Sequence, residues 1–302
     1  MNKTAIEWCD STWNPVTGCF HNCPYCYAAR IAKRFKGVWD GDNNTKIYLT
    51  SDTPIEVTGG EFNDYGLKYR VGNDSSGKPR LINPPYPYGF HPTLHRHRLE
   101  SGVQQWKNPR NIFVCSMADL FGDWVPDEWI KRVFEECAKA PQHRYLFLTK
   151  NPKRYEHLIK EKILPPLTKP YYFGHSITSQ KDANNYWNWH FSCYLFSKYF
   201  RNNYRVNRFI SVEPLHEKIW LNLKWFPADW VIIGAETGNR KDKIIPKREW
   251  IEAIVEECEH WEIPVFMKDS LKKIWKEPLI QEYPWPGRRR HNGRQKNHQL
   301  HG

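Results

Sequence analysis

Long apolar segments are missing from this sequence. The 302 residues contain no apolar run that approaches the roughly 20 positions that a membrane helix needs. The N-terminal stretch MNKTAIEWCDSTW also has no apolar core of the length found in secretory signal peptides. These two absences predict a protein without a membrane helix and favour a cytoplasmic location.

The C-terminal stretch has no acidic side chains. Residues 285–302 hold five basic residues, and the whole chain has a formal net charge of +12. Excess positive charge favours polyanionic partners such as nucleic acid, because binding releases the counterions that surround phosphates. The alternative is a solvated tail, and we predict that residues 285–302 are disordered. The basic residues are Arg288, Arg289, Arg290, Arg294 and Lys296.

The chain has eight cysteines but no secretory signal, which argues against a disulfide framework. Cys115, Cys137 and Cys258 lie inside apolar patterns, so we expect them to be buried as small hydrophobic residues. Cys193 has no other cysteine nearby in the sequence. Clustered cysteines in such a chain favour metal or redox chemistry, and only one group is clustered.

That group is Cys19, Cys23 and Cys26, in the segment GCFHNCPYCY. Thiolates are soft ligands that suit zinc or iron–sulfur clusters. Structural zinc normally takes four protein ligands. No second cysteine pair follows in the chain, although Cys9 or His21 could complete a zinc site. A [4Fe–4S] cluster on three thiolates would instead leave one iron open to another ligand.

Strands and helices are predicted to alternate along most of the chain. A short run at WNPVTG (13–18) is the first strand candidate, and six apolar or β-branched runs follow. Segments with helical periodicity lie at 126–140, 152–163 and 246–261. This pattern predicts an α/β protein with a mostly parallel sheet, and about seven strands favour a partial (βα)6-type, TIM-like barrel. The six runs are NIFVCS (111–116), RYLFLTK (144–150), YYFGHSI (171–177), RFISVEP (208–214), DWVIIGAE (229–236) and IPVFMKD (263–269).

Residues 37–90 interrupt the alternation. The stretch is rich in Gly, Asn, Asp and Pro, with short alternating runs between turn signals. We predict a β-rich insertion within one domain of residues 1–284.

The spacing C-x3-C-x2-C, with the aromatic Tyr25 before the last cysteine, resembles the signature of radical S-adenosylmethionine (SAM) enzymes. The resemblance implies a [4Fe–4S] cluster on Cys19, Cys23 and Cys26, in a loop after the first strand of a partial (βα)6 barrel. It also implies that the open iron binds SAM. An external donor of the flavodoxin or ferredoxin type would then supply the electron that cleaves SAM to methionine and a 5′-deoxyadenosyl radical, which abstracts hydrogen from a substrate.

A narrower resemblance covers nearly the whole chain apart from the insertion and the tail. Seven segments resemble a radical-SAM-like family found in phages, prophages and other microbial genomes, whose substrate is unsettled. Many members space the first two cysteines further apart than this chain does. The segments are IEWCDSTWNPVTGC (6–19), TLHRHRLE (93–100), FVCSMADLFGDWVPDEWI (113–130), FLTKNPKR (147–154), FISVEPL (209–215), DWVIIGAETG (229–238) and IPVFMKD (263–269).

Polar or charged residues follow most of the predicted strands. Ligands collect at the carboxyl ends of strands in a parallel barrel, so we expect these residues to line a site. The alternative for each position is that the strand ends in solvent. The residues are Ser116, Asp119, Thr149, Lys150, Ser176, Thr178, Glu213, Glu236 and Lys268.

The resemblance implies roles for several of these residues. SMAD (116–119) stands where radical SAM enzymes carry a Gly-Gly-Glu-like segment, so Ser116 or Asp119 would accept from the SAM amino group. Ser176 would contact the ribose.

Four further strand-end residues would contact SAM or the substrate. Glu213 and Glu236 would accept hydrogen bonds, and Lys150 and Lys268 would pair with the SAM carboxylate or a substrate phosphate. A structural ion pair is the alternative for a carboxylate beside a lysine. The candidate catalytic residues are Glu213, Glu236 and Lys268. The candidate SAM-binding residues are Tyr25, Ser116, Asp119, Lys150, Ser176, Glu213 and Glu236.

Two further patterns have more than one interpretation. His91, His95 and His97 could form a second metal site, but HRHR is more typical of a basic surface or an anion contact. The aromatic-rich run at 186–200 could stack on bases, but such runs more often form core.

The leading hypothesis is a radical SAM enzyme that acts on a nucleic-acid base, a nucleotide or a similar anion. One alternative is a non-catalytic nucleic-acid-binding protein with a structural zinc or iron–sulfur site. Another is a radical SAM enzyme that modifies a protein or peptide.

Overall fold

The computed structural model describes residues 4–36, 38–39, 54–57, 67–73, 75–82, 85–164, 170–186 and 207–285. The strands in these ranges are β1 (Ser11–Trp13), β2 (Val16–Thr17), β3 (Val38–Trp39), β4 (Ile55–Val57), β5 (Leu67–Asn73), β6 (Pro79–Ile82), β7 (Thr93–His95), β8 (Asn111–Val114), β9 (Arg144–Thr149), β10 (Tyr171–Ser176), β11 (Asn207–Val212), β12 (Trp230–Ile233) and β13 (Val265–Met267). The helices are α1 (Tyr27–Arg34), α2 (Arg96–Glu100), α3 (Asp127–Ala138), α4 (Lys153–Lys160), α5 (Arg248–His260) and α6 (Lys272–Trp275).

Seven of these strands form one sheet in the order β1, β8, β9, β10, β11, β12, β13. The pairs β1–β8, β8–β9, β11–β12 and β12–β13 are parallel. Every residue of NIFV in β8 and WVII in β12 is buried. Continuous apolar runs are typical of parallel strands that are covered on both faces. The expected α/β class with a mostly parallel sheet is therefore confirmed.

The three predicted helices are present as α3, α4 and α5. In α3, apolar side chains repeat at helical spacing and form one buried stripe. Asp127 and Glu128 occupy its first turn, where carboxylates interact favourably with the positive end of the helix dipole. The buried residues of α3 are Trp129, Ile130, Val133, Phe134 and Cys137.

The first strand lies earlier than the sequence pattern indicated. The run at 13–18 was expected to be one strand, but the sheet strand β1 ends at Trp13. Pro15 follows, and a proline has no N–H to donate to a ladder. Beyond it, β2 leaves this sheet and pairs antiparallel with β7. The expectation of a single strand over 13–18 was therefore wrong.

The region predicted as an insertion contains four short strands in its described parts. β3, β5 and β6 form one small sheet, and β4 pairs with β7 in another. The chain divides into two compact units, Met1–Tyr172 and Phe173–Gly302. The prediction of one domain over 1–284 with an insertion stays a prediction, and residues after 285 lie outside the described residues.

The cysteines outside the cluster are buried where the structure describes them. Cys115, Cys137 and Cys258 are each exposed by 2% or less, which confirms the expectation from their apolar surroundings. Cys193 lies outside the described residues, as does most of the aromatic-rich 186–200 run. Among the described helices, none combines the length and the apolar character that crossing a membrane would need.

We expect that replacing Gly18, at the start of the cysteine loop, destabilises the protein. Its φ is +86°, and an added Cβ would lie 2.1 Å from the His91 carbonyl oxygen. Gly18→Ala should lose about 1–2 kcal/mol of unfolding free energy from the backbone strain, and about 1–3 kcal/mol more from the overlap. The measurement is urea unfolding at neutral pH.

The matched control is Gly77→Ala. Gly77 has a similar φ of +84°, but nothing lies within 4 Å of its added Cβ. Gly77→Ala should therefore lose only the part of the unfolding free energy that comes from backbone strain. Equal losses for the two variants would contradict the role assigned to close packing at Gly18.

Candidate functional site

The cysteine loop is fixed at its start by two backbone hydrogen bonds. Gly18 donates its N–H to the Met117 carbonyl at 2.9 Å, and Cys19 donates to the Phe90 carbonyl at 3.0 Å. At the other end of the loop, the Cys26 N–H donates to the Cys23 carbonyl at 3.1 Å. Helix α1 then begins at Tyr27, so the loop is held between β2 and α1.

The three clustered thiols line one pocket of about 270 Å³. The three cysteines that are close in the sequence therefore also share one pocket, and their role as cluster ligands stays a prediction. Lys33 lines the same pocket from α1, seven residues after Cys26, a spacing that returns to the same face of a helix. The lining residues are Cys19, Phe20, Asn22, Cys23, Cys26, Ala29, Lys33, Phe90 and His91.

The protein environment holds two of these thiols in the protonated form. Burial raises the pKa of Cys19 to about 12, although its sulfur accepts a hydrogen bond from the His21 N–H at 3.5 Å. Burial also raises the pKa of Cys26, against the opposing effect of the N–H groups at the start of α1 and of Lys150. The Cys26 sulfur caps α1 by accepting from the Ala29 N–H at 3.4 Å. A metal ion would have to displace these protons, since thiolates are the ligands.

Neither residue suggested as a fourth ligand is placed for that role. His21 Nε2 lies 2.8 Å from Asp119 Oδ2. Cys9 is buried, does not line the pocket, and donates weakly to the Ile6 carbonyl at 3.8 Å. In the ranges that the structure describes, no group of three or more His, Cys, Asp or Glu side chains forms a ready metal site.

Asp119 connects the cysteine loop to the ends of β8 and β9. Its Oδ1 accepts from the Phe121 N–H at 3.0 Å, and its Oδ2 accepts from the Lys150 N–H at 2.9 Å as well as contacting His21. Asp119 is only 5% exposed. Burial alone would raise the pKa of this carboxyl, but the hydrogen bond and charge of His21 and the Lys150 N–H hold it below its usual value.

The other predicted residues of the first unit surround the same loop. Ser116 donates from its hydroxyl to Asn14 Oδ1 at 3.1 Å, and the Met117 N–H donates to the same oxygen at 3.0 Å. The Lys150 ammonium lies 5.3 Å from the centre of the Tyr25 ring. Lys150 and Tyr25 thus meet beside the cysteines, whereas Ser116 and Asp119 both make hydrogen bonds within the protein.

In the second unit, Glu213 and Lys268 follow β11 and β13 and form an ion pair. Gly234, just after β12, lies against both side chains. An added Cβ there would be 3.1 Å from Glu213 Cδ and 3.1 Å from Lys268 Cδ. The side chains are 25% and 15% exposed, so the pair is within reach of a ligand.

Glu236 forms a second charged group at the end of β12. Arg240 donates to both of its carboxylate oxygens, at 2.8 Å each, and His216 Nε2 lies 3.4 Å from Oε2. The Glu236 side chain is 1% exposed. The hydrogen bond from Arg240, with a smaller one from His216, lowers the Glu236 pKa. Ser176, at the end of β10, is 8% exposed.

The histidine-rich segment has a different environment from the one predicted. HRHR was interpreted as a basic surface, but His95 is fully buried, and its Nε2 lies 2.8 Å from the Thr17 hydroxyl. Burial lowers the pKa of His95 well below its usual value, so its ring is neutral. Arg98 donates to the Asn14 carbonyl at 3.4 Å and to the Pro85 carbonyl. The basic-surface interpretation was therefore wrong for His95.

Several site residues were missed by sequence reasoning. Asn14, Lys33, His216 and Arg240 were not proposed for any role. Of these, Lys33 carried a usable signal, because its spacing from Cys26 places both on one helix face. Asn14 meets Ser116 through a tertiary contact that no local pattern predicts. Arg240 lies four residues after Glu236, but the loop sequence does not tell that the two side chains meet.

The chain matches a family described as "Protein of unknown function (DUF5131)" over residues 3–64 and 69–298. It therefore belongs to that family. No curated protein and no solved structure matches the chain.

Asp119→Asn should destabilise the first unit. The variant removes a charge that is hydrogen-bonded in the interior, which should cost about 1.5–3 kcal/mol of unfolding free energy at neutral pH. Because the Asp119 pKa is lowered in the folded protein, its contribution is present above the usual carboxyl value of 3.8 and is lost as pH falls through the folded-state value. The difference between variant and wild type, measured by urea unfolding, should therefore shrink in acid.

The control for Asp119 is Asp123→Asn, at an exposed carboxylate that accepts from Asn151 Nδ2 at 2.7 Å. It should change stability by less than about 0.5 kcal/mol. If the two variants behaved alike, Asp119 would not anchor the loop as described.

The Glu213–Lys268 pair should show a favourable but modest coupling. Both side chains are partly exposed, so we expect a coupling of about 0.5–1 kcal/mol. A double-mutant cycle with Glu213→Gln and Lys268→Met, followed by urea unfolding at low and high salt, measures it. A coupling of zero at low salt would contradict a formed ion pair.

Proposed function

We propose that this protein is a [4Fe–4S]-dependent radical SAM enzyme that acts on a nucleic-acid base, a nucleotide or a similar anionic substrate. The observation that carries the proposal is the pocket shared by the thiols of Cys19, Cys23 and Cys26. The C-x3-C-x2-C spacing and Tyr25 support it through their resemblance to the radical SAM signature.

The three cysteine thiols suit a [4Fe–4S] cluster that leaves one iron open. Three thiols face one pocket, and the two other candidate ligands, Cys9 and His21, are engaged elsewhere. Because the described side chains do not form a ready metal site, binding would also have to draw the thiols closer together. When bound, the cluster would supply the iron that holds SAM and the electron that cleaves it to a 5′-deoxyadenosyl radical.

The residues around the pocket have distinct tasks in this proposal. Asp119 holds His21 and therefore the middle of the cysteine loop. Burial raises the pKa of Cys26, and the positive charge of Lys150, which lies beside Tyr25, opposes this effect. Lys33 adds a positive charge to the pocket wall, which suits an anionic group on a ligand.

The parallel sheet is consistent with a partial (βα)6-type barrel, which we include in the proposal. Within the second unit, Glu213, Glu236 and Lys268 all follow carboxyl ends of parallel strands, where ligands commonly bind. Glu213 and Lys268 remain the better candidates for contact with substrate, because their side chains are 25% and 15% exposed, whereas the Glu236 side chain is 1% exposed.

The test is anaerobic reconstitution of the full chain with iron and sulfide. The proposal expects about four irons per chain, an EPR signal in the dithionite-reduced protein that shifts on adding SAM, and formation of 5′-deoxyadenosine. The variants Cys19→Ala, Cys23→Ala and Cys26→Ala should each lose the EPR signal. Cys258→Ala, which removes a buried thiol from α5, is the matched control and should retain it.

Other outcomes would refute the proposal or part of it. One tightly bound zinc with no iron–sulfur absorbance would favour the alternative, a non-catalytic nucleic-acid-binding protein with a structural zinc site. A cluster whose EPR signal does not change with SAM, and which yields no 5′-deoxyadenosine, would exclude the catalytic function.

A further inference from the structure

The segment between β12 and α5 carries a concentration of positive charge. Residues 237–247 read TGNRKDKIIPK, with four basic residues and one acid. Lys241, Lys243 and Lys247 are exposed, and Arg240 is partly exposed. We call residues 237–247 the cationic loop.

Contacts with the buried Glu236 and within the loop itself hold the cationic loop in place. Arg240 makes two hydrogen bonds to the buried Glu236 carboxylate, at 2.8 Å each. Lys243 Nζ donates to the Gly238 carbonyl at 3.1 Å, and Pro246 is buried. Burying Glu236 is costly unless it is well paired, so this ion pair holds the loop in a defined conformation.

The same loop exposes two large apolar side chains. Ile244 is 42% exposed and Ile245 is 65% exposed, directly between Lys243 and Lys247. Since the loop is anchored at Glu236 and Pro246, these side chains are held outward. Lysines beside exposed apolar groups suit a partner with both negative charge and apolar surface.

The position of the loop relates it to the strand-end residues of the same unit. It begins at residue 237, shortly after β12 ends at Ile233, and Gly234 between them lies against Glu213 and Lys268. Ligands of parallel sheets bind outside the carboxyl ends of strands, so a partner on the loop would extend toward these residues.

We propose that the cationic loop binds nucleic acid, with Lys241, Lys243 and Lys247 contacting phosphates and Ile244 and Ile245 packing against sugars or bases. Phosphate contacts by lysine supply affinity without sequence dependence, and apolar side chains inserted beside bases add contact area. The inference names nucleic acid as the partner of the proposed enzyme. It rests on the proposed function only where it gives binding a purpose in catalysis, since the binding itself does not depend on that function.

Nucleic acid fits the loop better than an anionic membrane does. Interfacial membrane binding normally uses a long amphipathic face or a second anchoring signal, and here the exposed apolar surface of the loop is one isoleucine pair. Membrane binding would also not explain why the loop lies near Glu213 and Lys268. The chain's net charge of +12 favours a polyanion in general.

Binding is measured by fluorescence anisotropy with labelled single-stranded and duplex DNA and RNA oligonucleotides over a range of salt. The full chain is used without reconstituted cluster. Lys241→Ala/Lys243→Ala/Lys247→Ala should weaken binding at least about tenfold and reduce the slope of log K against log salt by about 2–3. Ile244→Ser/Ile245→Ser should weaken binding without changing that slope.

The matched control is Lys131→Ala/Lys139→Ala/Lys153→Ala, which removes the same charge from exposed positions in the first unit. It should leave both affinity and slope nearly unchanged. Equal losses in the two triple variants, or no binding of any oligonucleotide by wild type, would overturn the proposal. Loop-dependent binding to phosphatidylserine vesicles, stronger than to nucleic acid, would overturn it in favour of a membrane.

This measurement is independent of the cluster. If the oligonucleotides bind through the loop but reconstitution gives no SAM cleavage, the proposed function fails and the loop assignment stands. If SAM is cleaved but the loop variants bind like wild type, the loop assignment fails alone.

Discussion

The cysteine loop depends on one buried carboxylate. Asp119 accepts hydrogen bonds from backbone N–H groups beyond β8 and β9 and pairs with His21, which lies between Cys19 and Cys23. A carboxylate buried this deeply is tolerated only because its partners are all in place. The loop is thereby held at its middle as well as at its start. Its cysteines line a pocket, and Cys26 also packs against a buried hydrophobic cluster.

A second buried carboxylate does the same for a loop of the other unit. Glu236 is almost inaccessible, and it holds Arg240 by two hydrogen bonds while His216 approaches from the neighbouring segment. In each case an acidic residue at the end of a strand engages a basic residue on a loop. The cost of burying the charge is offset only in one loop conformation. Such pairing gives irregular segments a defined shape that their own sequences would not impose.

Most strands of the seven-stranded sheet, three helices and the proximity of three cysteines could be predicted from the sequence, because each has a local pattern. Runs such as WVII are apolar throughout and can only be buried, and α3 has a clear helical stripe. The pattern failed at 13–18, where the apolar character continued past Pro15 although the strand did not. It also failed at His95, which is polar but fills a buried position against Thr17.

Prediction of the strand-end residues was correct about position but incomplete about partners. Asp119 and Glu236 were selected as ligand-binding groups because they follow strands, yet both engage side chains of the protein. The partners, His21 and Arg240, lie 98 and 4 residues away in the chain. Only the fold brings His21 to Asp119. Arg240 follows Glu236 closely, but a loop sequence does not tell whether two such charges turn toward each other.

Burial and a nearby carboxylate both act on the Cys19 thiol. With its pKa raised to about 12, mainly by burial, this thiol holds its proton and carries no negative charge. In the proposed enzyme the ligand thiols would lose their protons on binding the cluster, so part of the binding free energy would be used to deprotonate them. Asp119 anchors the loop that carries these thiols through its contact with His21. The same carboxylate also raises the Cys19 pKa by its charge, so anchoring the loop and keeping its thiol protonated are linked consequences of one residue.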